Sequence, residues 1–564
     1  MFKEGLKKLI MTTVACAAVS ASAALPQPQH IVEGIKSYEL ENGLKIVLFA
    51  DQSKPTATVN TTYLVGSRQE NYGETGMAHL LEHLMFKGSK NYPDPTREFT
   101  KRGFRMNGTT WLDRTNYFVS FTANDDNMRW ALGWSADAMV NSNIAKKDLD
   151  TEMTVVRNEY EMGENKPVSV MVKRMQGILF DWHAYGRNTI GARSDIENVP
   201  IENLQAFYHK WYQPDNAVLT VSGKFDETKV LTWITETFGK IPRPTRVLPA
   251  EWTVEPVADG PRYFEIRRPG ESQLVAVGYR IPSAIAADNN AVETVVDVLS
   301  SAPRGRLYKA LVETGMAGQV FGWAMSAKCP SFVMFGAMVK KGDDIERVKN
   351  VLIDTVENAF KKTPADDTEV GLSLAEAATD FERTLSDPEE FAVELSDYIS
   401  LGDWRLYFYD RDATAKVTPA DVNKAAATYF VRDNRAVGVF IPDDKPQRAP
   451  YMETPKLADV LKNATFKEEG AVSEAFDVSQ ANIDARTEVL EINGVKTALL
   501  PKKTRGETVT VLTHFNYGTL DTVKGKRALD TLIEPMLTRG AEGMDRTAIS
   551  DKLTQLKVQG DILT

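Results

Sequence analysis

The chain has 564 residues but only two cysteines, Cys16 and Cys329, and six histidines. Cys16 lies in an N-terminal leader described below, so the processed chain keeps one thiol. That excludes an internal disulfide and a four-cysteine zinc site. Beyond the leader no apolar run is long enough to span a bilayer. Positive charge is not in excess: 67 Lys and Arg stand against 77 Asp and Glu, a net charge of −10. Without a basic patch or a basic amphipathic helix, nothing points to nucleic acid or to stable membrane insertion. Low-complexity tracts are absent too. What remains is a globular composition, 43% apolar and 26% charged, at a length that predicts several domains. Any metal ion would have to be held by histidine and carboxylate.

Residues 1–23 read as a secretory signal peptide. Lys3, Lys7 and Lys8 supply the positive start, Leu9 to Ala15 the apolar core, and Ala21-Ser22-Ala23 the small-residue cleavage site, with Pro26 close behind. The run is short and rich in Ala, Ser and Thr, which disfavours a membrane anchor. Lipidation at Cys16 is disfavoured by Thr13, where a large aliphatic residue would be expected. The prediction is a periplasmic or secreted protein, with a charge of −12 after cleavage.

The chemistry is concentrated in His79-Leu80-Leu81-Glu82-His83. On a helix, the two histidines lie one turn apart on one face and can grip a single cation. Nitrogen ligands suit zinc. Glu82 would lean over the open coordination position and take a proton from a bound water. The order is the inverse of the His-Glu-x-x-His zinc helix. Five residues alone are a weak signal, so a third ligand is needed. Acidic residues at Asp150, Glu152, Glu159, Glu161 and Glu164 offer candidates, although on local grounds they also fit a solvated helix face.

Around the motif the chain reads as an α+β domain over residues 35–242. It has a hairpin turning at Asn42-Gly43, a strand at 56–65, the motif helix, a ribbon at 103–122, helices at 126–141, 147–161 and 201–211, and a strand at 217–223. Gly73, Thr75 and Gly76 are expected to loosen the chain before the motif helix. Prolines at 242, 244 and 249 mark a linker. A second domain of similar pattern is expected over 260–445, with strands at 274–279 and 332–339 and helices at 289–301, 342–361, 366–382 and 388–401. A linker over 446–484 follows. Residues 491–500 then echo 41–48, and Thr531-Leu-Ile-Glu534-Pro535 aligns with His79-Leu-Leu-Glu82-His83. The second copy has Thr531 and Pro535 where the first has histidines, so 485–564 is expected to begin a degenerate, metal-free repeat. It stops well short of a full domain, which predicts a fragment or truncated product.

Gly73-Glu-Thr-Gly-Met-Ala78 running into His79-Leu-Leu-Glu82-His83-Leu-Met-Phe-Lys-Gly88, followed by Glu152-Met-Thr-Val-Val-Arg-Asn-Glu159, resembles the M16 metallopeptidases, the pitrilysin and mitochondrial-processing-peptidase family. The resemblance covers about 37–564, nearly the whole processed chain. It implies tandem M16-type (LuxS/MPP-like) domains, each a mostly antiparallel sheet with helices packed on one face. It implies one Zn²⁺ per chain held by His79, His83 and Glu159, with Glu82 as general base and Glu152 as a supporting acid. Asn107, Thr109 and Tyr117 match the strand to which a peptide substrate is added in that family. A second M16 half, or another subunit, would supply the opposite wall of the chamber. The expected function is an exported zinc endopeptidase acting on oligopeptides or short unfolded chains. Rival readings are a peptidase dedicated to one precursor and a non-catalytic core or assembly subunit. The four motif residues His79, Glu82, His83 and Glu159 weigh against the last.

Overall fold

The computed structural model describes residues 25–467, 470 and 472–560, and the leader at 1–23 lies outside them. These residues form two compact units, one ending at Arg448 and one starting at Ala449.

The first unit is built on two sheets. Sheet one comprises β1 (His30–Val32), β2 (Ile35–Glu39), β3 (Lys45–Ala50), β4 (Thr56–Tyr63), β5 (Arg105–Thr110), β6 (Thr115–Thr122) and β7 (Ala217–Gly223), in the order β1-β2-β3-β7-β4-β6-β5. Only β3 and β7 run parallel; the other neighbours are antiparallel. Among the described residues β5 is therefore a free edge. Sheet two comprises β8 (Arg262–Arg268), β9 (Ser272–Ile281), β10 (Gln319–Met325), β11 (Ser331–Lys340) and β12 (Arg435–Pro442), in the order β10-β11-β9-β12-β8, with β8 and β12 parallel.

In chain order the helices before sheet two are α1 (Met77–Met85), α2 (Pro95–Arg102), α3 (Asp125–Asn141), α4 (Lys146–Glu164), α5 (Pro167–Leu179), α6 (Arg193–Asn198), α7 (Ile201–Trp211) and α8 (Glu227–Thr237). Those after them are α9 (Asn289–Ser300), α10 (Ile345–Lys362), α11 (Asp367–Leu385), α12 (Pro388–Leu401), α13 (Leu406–Thr414) and α14 (Pro419–Tyr429). One face of sheet one packs on α1, α3, α7 and α8 through Val59, Leu81, Leu132 and Leu219, all fully buried.

The other faces are filled by exchange. Helix α12 lies on the back of sheet one, where Phe391, Leu395 and Ile399 meet Val47 and Val218. Asn60, buried in mid-strand, donates to Ala392 O at 2.6 Å and Ser396 Oγ at 2.8 Å. Conversely, α5 lies on sheet two. A Cβ at Gly278 would come within 2.7 Å of Met175 Sδ, and one at Gly438 within 2.4 Å of Met171 Sδ. Those two glycines let the helix sit flat on the sheet. Each sheet is thus closed by a helix that sequence order would assign to the other, and the two halves form one body.

The second unit holds a hairpin, 488–492 with 495–499, turning on Asn493 and Gly494, both with positive φ. It also has a helix at Arg527–Leu537 that carries Thr531 and Pro535. No helix among the described residues is long and apolar enough to cross a membrane.

Candidate metal centre

Helix α1 is shaped by its sequence into two faces. Met77, Ala78, Leu80, Leu81, Leu84 and Met85 are buried in the core. The complementary stripe, 79, 82, 83 and 86, follows the i, i+3, i+4, i+7 helical spacing and faces the site. The helix starts at Gly76, whose φ of 93° is open to glycine and strained for other residues. A Cβ there would meet Ile190 O at 2.7 Å. Glu70, 3% exposed, takes the amides of Gly76 and Ala78 on its two oxygens, each at 2.8 Å. Asp195 holds Thr75 through both N and Oγ1. The segment expected to loosen the chain is therefore pinned on both sides.

Two turns apart on α4, Glu152 and Glu159 face α1. Both imidazoles aim Nε2 at one oxygen: Glu159 Oε2 is 3.4 Å from His79 Nε2 and 3.5 Å from His83 Nε2. The rings stand perpendicular, with centroids 4.9 Å apart. Contact with His79, and then His83, holds the Glu159 carboxyl below its usual range. Among the described residues this is the only set of three His, Cys, Asp or Glu side chains whose ligand atoms lie within 4.8 Å of one another. Donors in a tetrahedron with bonds of about 2.0–2.1 Å stand about 3.3–3.4 Å apart, so two nitrogens and one carboxylate oxygen at this spacing fit zinc.

Glu152 is not part of that triangle. Its Oε2 lies 3.2 Å from His83 Nδ1, the nitrogen turned away from the cluster, and its Oε1 lies 2.5 Å from Lys87 Nζ. A proton shared on the Nδ1 side leaves His83 Nε2 as a lone-pair donor. Glu82 also stays outside the cluster. Its Oε2 accepts from Thr110 Oγ1 at 2.5 Å, and a Cβ on Gly108 would come within 2.9 Å of its Cγ. The carboxylate is thus held between α1 and the edge strand, beside the donors without joining them.

The expected substrate residues divide. Asn107 is exposed on β5, with its Oδ1 accepting the Gly108 amide at 3.0 Å. Thr109 is also on β5, but its hydroxyl donates to Asn116 Oδ1, so only its backbone faces the edge. Tyr117 corrects the expectation. It lies on β6, which is paired on both sides, and is 3% exposed, with its OH 3.0 Å from Tyr212 OH. It is a core residue out of reach of a peptide. Four partners were not foreseen: Glu70, Lys87, Thr110 and Arg114. Arg114, 7% exposed, reaches Thr109 O, Asn116 Oδ1 and Asp397 Oδ1. Lys87 could have been found, because it stands one turn after His83.

Residues 45–193 match the family model described as Insulinase (Peptidase family M16), and 198–372 match that of the Peptidase M16 inactive domain. The chain belongs to the M16 peptidase family. It is 26% identical over 452 residues to the zinc protease PqqE of Helicobacter pylori, an alignment covering 78% of this chain and 97% of that protein. The crystal structure of a protease from Helicobacter pylori superposes with a TM-score of 0.68 at 24% identity, covering 74% of this chain and all of that one. The first half of the periplasmic protease PqqL from Escherichia coli gives 0.59 at 17% identity, covering 74% and 93%. The first matched segment, 45–193, carries His79, His83 and Glu159, and the second, 198–372, matches a domain described as inactive.

Proposed function

We propose that this M16 chain is an exported zinc endopeptidase that hydrolyses oligopeptides or short unfolded polypeptides. The carrying observation is the convergence of His79 Nε2, His83 Nε2 and Glu159 Oε2 beside Glu82, against the free edge of β5. Bound there, zinc would supply Lewis-acid polarisation of the scissile carbonyl and a more acidic water. The chain's own groups do the rest. The amides and carbonyls on the outer side of β5 bind the peptide main chain as an added strand, which gives affinity with little sequence demand. Glu82 takes the proton from the attacking water at its carboxylate and hands it to the leaving amine. Thr110 fixes which oxygen of Glu82 is free. Glu152 and Lys87 orient His83.

The names of the Helicobacter pylori and Escherichia coli relatives support the metal and the periplasmic setting. A second M16 half, on the same or another chain, would close the chamber over β5 and admit only unfolded peptides. Glu82→Gln tests the reading on a mixture of fluorogenic peptides. Metal content should stay at the wild-type level while turnover falls by about 100-fold or more. Near wild-type cleavage by the purified variant would remove Glu82 from its role.

A further inference from the structure

A cavity of about 780 Å³ begins where the edge strand ends. Trp111 and Arg114, just past β5, form one wall. Trp323 to Ala327, at the end of β10, form another, and α9, α12 and α13 close it with Glu293, Glu394 and Asp410. None of these three carboxylates has an ion pair among the described residues. Glu293 accepts from Asn289 Nδ2 at 3.1 Å and from Ser326 Oγ. Asp410 accepts from Asn290 Nδ2 at 2.5 Å and Tyr398 OH at 3.1 Å. The one cation on the wall, Arg114, is engaged by Asp397 and Asn116. Burial raises the carboxyls of Glu293, Glu394 and Asp410; the charges of Arg114 and Arg383 offset part of the rise at Glu394, and hydrogen bonds offset part of it at Glu293 and Asp410.

A separate feature points the same way. Asn289, 2% exposed, also lines the cavity. Its Nδ2 is spent on Glu293, and its buried Oδ1 has no hydrogen-bond partner among the described residues. The cavity therefore presents acceptors in excess, so a matching ligand brings both donors and positive charge. The carboxylates are too dispersed for a metal ion, because only the His79, His83 and Glu159 set meets the 4.8 Å spacing. A guanidinium or ammonium on a flexible stem spans such a site.

We infer that this cavity receives a basic side chain of the peptide laid along β5. Its register follows from the strand. Gly108 abuts Glu82, and Trp111 is three residues further, about 10 Å at strand rise. The basic residue thus sits about three positions from the scissile bond. This rests on the peptidase reading, so the test reads binding separately from turnover.

Short N-acetylated fluorescent peptides, each with a single Arg at one position, would be titrated against the Glu82→Gln chain by anisotropy. Citrulline counterparts keep the shape and lose the charge. At the favoured position Arg should bind about tenfold more tightly than citrulline, the worth of one charge-assisted hydrogen bond. Glu394→Gln and Glu293→Gln should erase that difference, with thermal unfolding showing that each variant folds. Equal affinities, no binding of either peptide, or a preference that survives both substitutions would overturn the inference. A chain that discriminates Arg from citrulline but cleaves nothing in the wild-type form would refute the peptidase reading and keep the cavity. Cleavage of both at equal kcat/KM would do the reverse.

Discussion

Removing the Glu152 carboxylate should weaken the metal site without touching a proposed ligand. Glu152→Ala deletes the contact to His83 Nδ1 at 3.2 Å and leaves Lys87 Nζ without the oxygen now 2.5 Å away. Both ends of the His83–Glu152 pair are largely shielded, with side-chain exposures of 15% and 11%. A charge-assisted hydrogen bond in such a setting is worth about 1.5–3 kcal/mol. Two effects add: His83 loses the partner that fixes its tautomer, and an uncompensated ammonium is left one helical turn from a cation site. Zinc affinity should fall by about 10- to 100-fold, the range seen for supporting carboxylates. Glu152→Gln, which keeps an acceptor, should lose less. Lys87→Met in the Glu152→Ala background should recover part of the loss, because it removes the stranded charge. The assay is competition against a chelator in zinc-buffered solution, with kcat measured at saturating metal. Unchanged zinc affinity in Glu152→Ala, or a double variant no tighter than the single, would refute the reasoning.

Gly108→Val should push Glu82 off its Thr110 contact, since even a Cβ meets Glu82 Cγ at 2.9 Å and Phe86 Cε2 at 3.3 Å. A displacement approaching 1 Å at the base costs about 100-fold in kcat/KM, with zinc content retained on mass spectrometry. Glu70→Gln leaves one helix-start amide facing an NH₂ group and should lower stability by about 1–3 kcal/mol in urea titrations. Burial pushes the Glu70 carboxyl up to about 8, against the two amides that pull it down. Its folded value thus exceeds its unfolded value of 4.5. The stabilisation tied to its proton is complete below about 4.5 and is lost as pH rises through about 8. Across that window wild type should lose stability relative to Glu70→Gln, and a constant difference would contradict the assignment.

Much of this was legible because the signals were local. The alternation of buried and site-facing residues on α1 follows directly from 3.6-residue periodicity, and the two-turn spacing of Glu152 and Glu159 puts both on one face. The hairpin at Asn42-Gly43 follows from turn chemistry, with Gly43 at a φ of 92°. Tyr117 was misread because the resemblance was carried across the whole ribbon at 103–122, and sequence does not show which of its two strands is the edge. That depends on β4 pairing with β6 across more than fifty residues. Glu70 was invisible for a similar reason: it caps a helix from beyond an intervening loop. The exchange of α5 and α12 between sheets is a tertiary result, decided by where Asn60, Gly278 and Gly438 leave room for a helix.

Zinc stoichiometry tests the central claim most directly. Elemental mass spectrometry of the purified chain should find one zinc per chain. Glu159→Gln should lose it under mild dialysis, whereas Glu161→Gln, changed at an exposed residue on the same helix, should keep it. A folded wild-type chain that takes up no zinc, or a Glu159→Gln chain that holds zinc as tightly as wild type, would contradict the account.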